Sequence, residues 1–370
     1  MKLLIIIDSL GSGGAETSTE VICDFLTEKK EAFEIVCLDK KKVGVQDRVL
    51  EKGYPVHFIK KGNFLKEVIQ ISRIIKQGNY DVVHSILFRS NLRTRLAKLL
   101  VKFKHIESLV NTTYSEERFN DPKVGKLSLK LYFWLDKLTS RLFVDHFHSI
   151  TETVKNHYIQ KLGINKNKIT VVFRGRKPLF ESKDFKEYTQ ERPLKLLNVG
   201  RHEFQKGQIY LLEAVKVVKE RGHKVQLTVL GRDGGETQRM KDFIKNSHLE
   251  NEVLLLGYTS NVPKYLSEAD IFVFPSLYEG LGGALIEAQS AALPIICNDI
   301  PVFREVVNTD KNAKLINTHD TGKVVEAIEF FIFKPENIEK FGKNSLQNYN
   351  EKYRLDDNNE KMYQLYQSLC

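Results

Sequence analysis

No apolar stretch in this 370-residue chain approaches the ~20 residues that a membrane-spanning helix requires. A helical membrane-embedded body is therefore excluded. The opening "MKLLIIIDSLGSGG" holds an apolar run of only five residues before Asp8 and a glycine loop. It is no signal peptide and reads as a buried first strand. Cysteine is scarce. Cys23, Cys37, Cys297 and Cys370 fall at no metal-binding spacing and form no paired framework, which points to a reducing cytoplasm. Short-period repeats, low-complexity tracts and recognised nucleic-acid motifs are all missing, so nucleic acid is not an expected partner despite the basic balance.

What is present fits a soluble globular enzyme: 42% hydrophobic and 28% charged residues. The length exceeds one ordinary core, so two domains are expected. The net charge of +10 is uneven. Residues 1–178 carry 32 Lys+Arg against 19 Asp+Glu, or +13, and residues 179–370 carry 25 against 28, or −3. One half alone is built for an anionic partner.

Strand-length apolar runs alternate with helical stretches along both halves. "KLLIIID", "FEIVCLD", "VHFIK", "DVVHSI", "HIESLV" and "KITVVF" mark the first half; "LKLLNVG", "KVQLTVLG", "EVLLLG", "DIFVFPS", "LPIIC" and "AKLIN" mark the second. The alternation predicts two parallel sheets wrapped by helices, an α/β fold of two Rossmann-like doubly wound domains facing a central cleft. The expected division is 1–178, a polar, proline-bounded linker over 179–193, and 194–352, with a final helix at 353–370 packing back on the first domain.

Three loops could carry chemistry. "SLGSGGAE" follows the first strand and opens a helix, as an anion-binding turn does. The dinucleotide fingerprint fails there, because Glu16 stands where its third glycine belongs; a plain tight turn is the other reading. "VGRHEFQKGQ" sets Arg201 and Lys206 at a helix mouth, where two cations can neutralise a diphosphate or simply face solvent. "YEGLGGALIE" places Glu279 before a helix start and Glu287 one turn inside it. Helical side chains lean towards the N-terminus, so Glu287 can reach a ligand at that end. Carboxylates there would accept hydrogen bonds from sugar hydroxyls, while amides near Leu281, Gly282 and Gly283 face an anion. A diphosphate flanked by sugars is a nucleotide-sugar.

These residues resemble the retaining glycosyltransferases of the large family 4, which have the GT-B architecture. Glu279 and Glu287 match the E-x7-E motif, Gly200, Arg201, Lys206 and Gly207 the G-R-x4-K-G element, and Gly13 to Glu16 the G-G-A-E loop. "VVFRGRKPLF" stands where the family commonly has an asparagine–glycine turn. The resemblance implies a hexosyltransferase acting with retention. Its donor would be a nucleotide-sugar, UDP- or GDP-linked, and its acceptor a glycan or lipid-linked sugar, in cell-surface polysaccharide synthesis. It implies no metal or other cofactor, in keeping with the missing D-x-D motif. Arg201 and Lys206 would hold the diphosphate, Glu287 the ribose and Glu279 the transferred sugar. Gly280, Leu281, Gly282 and Gly283 would line the donor, Gly14 the cleft floor, and the base would lie near Gly257 to Val262. The family often has a histidine near the reacting sugar; "VNTTY" puts Tyr114 there, and His84 is the nearest strand-end histidine. Both are candidate acceptor contacts, although for His84 a hydrogen-bonded structural role is the first reading. A nucleotide-sugar 2-epimerase of the same architecture and a catalytically dead membrane adaptor are the competing readings.

The basic half holds two further stretches. Residues 87–104 carry six cations and no acid, with Leu92, Leu96, Leu99, Leu100 and Phe103 at helical spacing. Residues 123–143 interleave Lys with Leu, Phe and the chain's single Trp. The first is expected to be an amphipathic basic helix. Either the apolar sides of the two stretches are core, or both rest on an anionic membrane surface at the inner face of the cytoplasmic membrane.

Overall fold

The computed structural model describes residues 1–179 and 188–370. Residues 180–187, inside the expected linker 179–193, lie outside the described residues. The chain divides into two compact units. The first comprises Met1–Tyr114, Gly125–Arg174 and Asp356–Cys370, and the second Ser115–Val124 and Gly175–Leu355.

In chain order the N-terminal half contains β1 (Lys2–Ser9), α1 (Gly14–Glu28), β2 (Ala32–Asp39), α2 (Gln46–Glu51), β3 (Val56–Phe58) and α3 (Phe64–Gly78). Then follow β4 (Val82–Ile86), α4 (Phe88–Ala97), β5 (His105–Leu109), α5 (Glu116–Phe119) and α6 (Lys126–Phe143). β6 (His146–Ser149), α7 (Glu152–Leu162) and β7 (Ile169–Val171) complete it. The sheet order is β3-β2-β1-β4-β5-β6-β7, with every pairing parallel. Leu3 to Ile7 of β1 are wholly buried, as a parallel strand covered on both faces must be.

The second unit begins with β8 (Leu194–Val199), α8 (Gln208–Glu220), β9 (Val225–Leu230), α9 (Thr237–Asn246), β10 (Val253–Leu256) and α10 (Val262–Glu268). It continues through β11 (Ile271–Phe274), α11 (Gly283–Ser290), β12 (Ile295–Asn298), α12 (Pro301–Val306) and β13 (Ala313–Ile316). Helices α13 (Thr321–Phe333), α14 (Glu336–Lys352) and α15 (Leu355–Gln367) end the chain. Its sheet is also parallel, in the order β10-β9-β8-β11-β12-β13. Two doubly wound Rossmann-like units are thus present. Helix α15 joins the core of the first unit through Met362, Leu365 and Tyr366.

The two basic stretches fare differently. The helix over 87–104 stops at Ala97; Leu99 and Leu100 are exposed in the turn beyond it. Arg95, one of its cations, is 1% exposed and faces inward, donating to Glu107 and Asp136. The stretch 123–143 does form a long helix, α6, but its apolar side is not core. It buries Leu129, Asp136, Thr139 and Ser140 and leaves Leu127, Leu131, Trp134 and Leu138 in solvent.

Candidate active site

In the second sheet the chain runs outward from β8 in one direction and from β11 in the other, so β8 and β11 flank the switch point. The loops leaving the carboxyl ends of such strands diverge and leave room for a ligand. Arg201 and Lys206 lie on the loop after β8; Glu279 lies on the loop after β11.

These loops are locked together by backbone contact that only small residues permit. The loop after β9 joins them: a Cβ on its Gly231 would stand 1.9 Å from the Gly200 carbonyl oxygen. Gly207, at φ +62°, would bring a Cβ within 2.4 Å of the Pro275 oxygen. The Leu277 N–H donates to the Gln205 carbonyl at 2.8 Å, and Gln205 Nε2 donates to the Tyr278 carbonyl at 2.7 Å. The result sets Lys206 Nζ on the Glu279 carboxylate in an ion pair, with the side chains 15% and 11% exposed. The same ammonium stands 5.3 Å from the Phe274 ring centre. Arg201, on the same loop, is exposed.

Helix α11 opens at Gly282, whose φ of +80° suits glycine. Glu287 follows one turn inside the helix. Its Oε1 accepts from Arg176 Nε at 3.2 Å, and the guanidinium lies across the helix mouth, 2.4 Å from where a Gly283 Cβ would be. Arg176 is fixed at its backbone: its N–H donates to Tyr353 O at 2.9 Å and its carbonyl accepts from Tyr349 at 2.8 Å. Leu281 turns its side chain into the core, which leaves only its backbone to meet a ligand. Each glutamate of the motif therefore holds a cation, and both pairs sit beside the positive end of α11. Such a constellation can take up a diphosphate on the cations while the carboxylates accept from hydroxyls.

Sequence reasoning missed Arg176. Its signal was the cation-rich "RGRKP" itself, where an asparagine–glycine turn was looked for. It also missed the segment 115–124: Asp121 accepts from the Tyr278 hydroxyl at 2.7 Å, and Lys123 pairs with Glu203 at 2.5 Å. No local pattern announces those contacts.

In the first unit Gly14 begins α1, and the Glu16 carboxylate folds back to within 2.4 Å of a would-be Gly13 Cβ. A carboxylate over that loop disfavours a dinucleotide phosphate. Tyr114 and His84, the candidate acceptor contacts, are both buried, and His84 takes the hydrogen-bonded structural place. Tyr114 is 2% exposed and donates its hydroxyl to Asp136 at 2.7 Å. His84 is buried on β4, its Nδ1 2.7 Å from the Tyr366 hydroxyl and its Nε2 2.8 Å from Ser108 Oγ. Burial holds the His84 imidazole well below its ordinary pKa. Both side chains are held by hydrogen bonds inside the first unit.

Comparison with known proteins places this geometry in a family. Residues 12–178 match the model of Glycosyltransferase Family 4, and residues 180–348 that of Glycosyl transferases group 1. The chain is 27% identical over 281 residues to the Escherichia coli UDP-Gal:alpha-D-GlcNAc-diphosphoundecaprenol alpha-1,3-galactosyltransferase, covering 71% of this chain and 69% of that protein. It is 27% identical over 315 residues to the capsular polysaccharide biosynthesis glycosyltransferase CapH of Staphylococcus aureus, covering 83% of each. The fold matches the crystal structure of Anabaena Alr3699/HepE in complex with UDP-glucose at a TM-score of 0.85, covering 100% of both chains at 16% identity. With its two halves matched by the two models in turn, the chain belongs to the group 1, family 4 glycosyltransferases of GT-B fold.

Proposed function

We propose that this glycosyltransferase moves a hexose from a UDP- or GDP-sugar to a lipid-linked glycan acceptor, with retention of anomeric configuration and without a metal, during cell-surface polysaccharide synthesis. The observation that carries the reading is the pair of glutamate–cation contacts, Glu279 with Lys206 and Glu287 with Arg176, on either side of one helix mouth. The relatives act on sugars carried by diphosphoundecaprenol and in capsule synthesis, which supports the acceptor class.

In this reading Lys206 leaves Glu279 for the donor diphosphate, and Arg201 closes on the same phosphates from outside. Glu279, released, accepts from a hydroxyl of the sugar being transferred. Glu287 accepts from the ribose hydroxyls, and the backbone from Gly280 to Gly283 faces phosphate or sugar. The bond between the anomeric carbon and the diphosphate oxygen breaks as the acceptor oxygen bonds to that carbon from the same face. The acceptor's proton passes to the departing phosphate oxygen. No base is required from the protein, and the cations stabilise the charge that develops on the leaving group. The second unit is the donor domain, the first the acceptor domain, and the enzyme works at the inner face of the membrane, held by its basic half.

A thermal-shift panel of UDP, GDP and ADP tests the donor assignment, because a ligand that binds only the folded protein raises its melting temperature. UDP or GDP is expected to stabilise, and Lys206→Ala to reduce the shift. No shift with any nucleotide contradicts the reading.

A further inference from the structure

Helix α6 is inside out. Its inward face is mostly polar. Asp136 accepts there from Arg95 Nη1 at 2.5 Å and from the Tyr114 hydroxyl, and the Thr139 hydroxyl meets the same guanidinium at 3.0 Å. Arg95 also makes two contacts to Glu107, so the helix is pinned by a buried charge cluster that its sequence alone does not reveal. The outward face is apolar. Leu127 is 84% exposed, Leu131 59%, Trp134 64%, Leu138 62% and Leu142 65%. Spacings of three and four align them in one stripe along the helix. The turn after α4 adds Leu99 and Leu100, and Lys98 just before them pairs with Asp145 just past the end of α6.

We infer that α6 lies flat in the headgroup layer of an anionic bilayer, with this stripe inserted to the acyl boundary. The inference deepens the proposed membrane-side function by naming the contact. Its 18 residues span ~27 Å, and among the described residues no helix is long and apolar enough to cross a membrane. The flanking charges choose the occupant. Lys126, Lys130 and Arg141 are exposed beside the stripe, and the helix's single acid, Asp136, is buried. A second copy docked face to face would set these cations against their equivalents, whereas anionic headgroups neutralise them. Trp134 and Tyr132 are the residue types that settle at a membrane interface.

Trp134 is the chain's only tryptophan, so its fluorescence reads the contact without a label. The full chain is titrated with phosphatidylcholine vesicles, with and without phosphatidylglycerol. The inference expects a blue shift and quenching by acyl-brominated lipid on the anionic vesicles. It also expects L131E and L138E each to weaken vesicle binding about tenfold. Both leucines are exposed, so nucleoside diphosphate affinity is expected to be unchanged, which separates this contact from the donor site. Vesicle binding with unshifted Trp134 emission and no effect of either substitution overturns the inference while leaving the membrane-side reading standing. A lipid-free dimer that shields Trp134 from acrylamide overturns it in favour of a second copy. Absence of binding to every vesicle overturns both.

Discussion

The Lys206 ammonium rests on the Glu279 carboxylate, two residues from different loops held together at the carboxyl ends of β8 and β11. The pair keeps both side chains ordered beside the mouth of α11, and a diphosphate must compete with Glu279 for the cation.

Lys206→Ala is therefore expected to weaken nucleoside diphosphate binding by about 1.5–3 kcal/mol, the scale of one charge-assisted hydrogen bond. Arg201→Ala is expected to act in the same direction with no change in melting temperature, because its side chain is exposed. Titration calorimetry with UDP and GDP checks both, and unchanged affinity in either variant removes that residue from the site.

Arg176→Ala tests the residue the sequence did not bring forward. With the Arg176 guanidinium gone, Glu287 loses its partner and the helix mouth loses a cation. Diphosphate affinity is expected to fall, and Arg176→Lys is expected to restore part of it as a point charge without the fork. Full affinity in Arg176→Ala would reduce the contact to a packing detail.

Much of this was legible in the sequence, for a physical reason. Parallel strands covered on both faces need unbroken apolar runs, so "KLLIIID" and "DIFVFPS" announce themselves, and Gly282 marks the left-handed cap that starts α11. Periodicity could not say which side of α6 faces inward, because that depends on Arg95 reaching Asp136 from another helix. Nor could it stop the helix at Ala97, since Leu99 and Leu100 keep helical spacing through a turn. The return of 115–124 to the second unit, where Asp121 meets Tyr278, is tertiary from start to finish.

The buried charge cluster should be the most sensitive structural point in the first unit. Arg95→Ala strands Glu107 and Asp136 without their counter-ion and is expected to destabilise the protein by about 3–5 kcal/mol. Urea denaturation followed by far-ultraviolet circular dichroism measures it. A loss below about 1 kcal/mol would mean water or a rearranged neighbour replaces the guanidinium.

Buried histidines set the acid response. Burial pushes His148 down to about 4 and His105 to about 3, from an ordinary 6.5. As pH falls below 6.5 the unfolded chain binds protons that the folded rings refuse. Stability present above that pH is thus lost on the way down, at about 1.4 kcal/mol per unit for each ring. Glu107, pushed up by burial, acts in the opposite direction, so the histidine part is read as a difference. Wild type is expected to lose more stability than His148→Asn between pH 6.5 and 4.5; parallel curves would contradict the assignment.

The division of labour between the two glutamates is tested most directly by nucleoside diphosphate calorimetry and sugar-transfer turnover on Glu279→Ala and Glu287→Ala. Glu287→Ala is expected to weaken the diphosphate, because ribose is common to donor and product. Glu279→Ala is expected to leave diphosphate affinity unchanged, or raise it as Lys206 is freed, while turnover collapses. Loss of diphosphate binding in Glu279→Ala with none in Glu287→Ala would reverse the assignment, and unaltered binding and turnover in both would contradict the site itself.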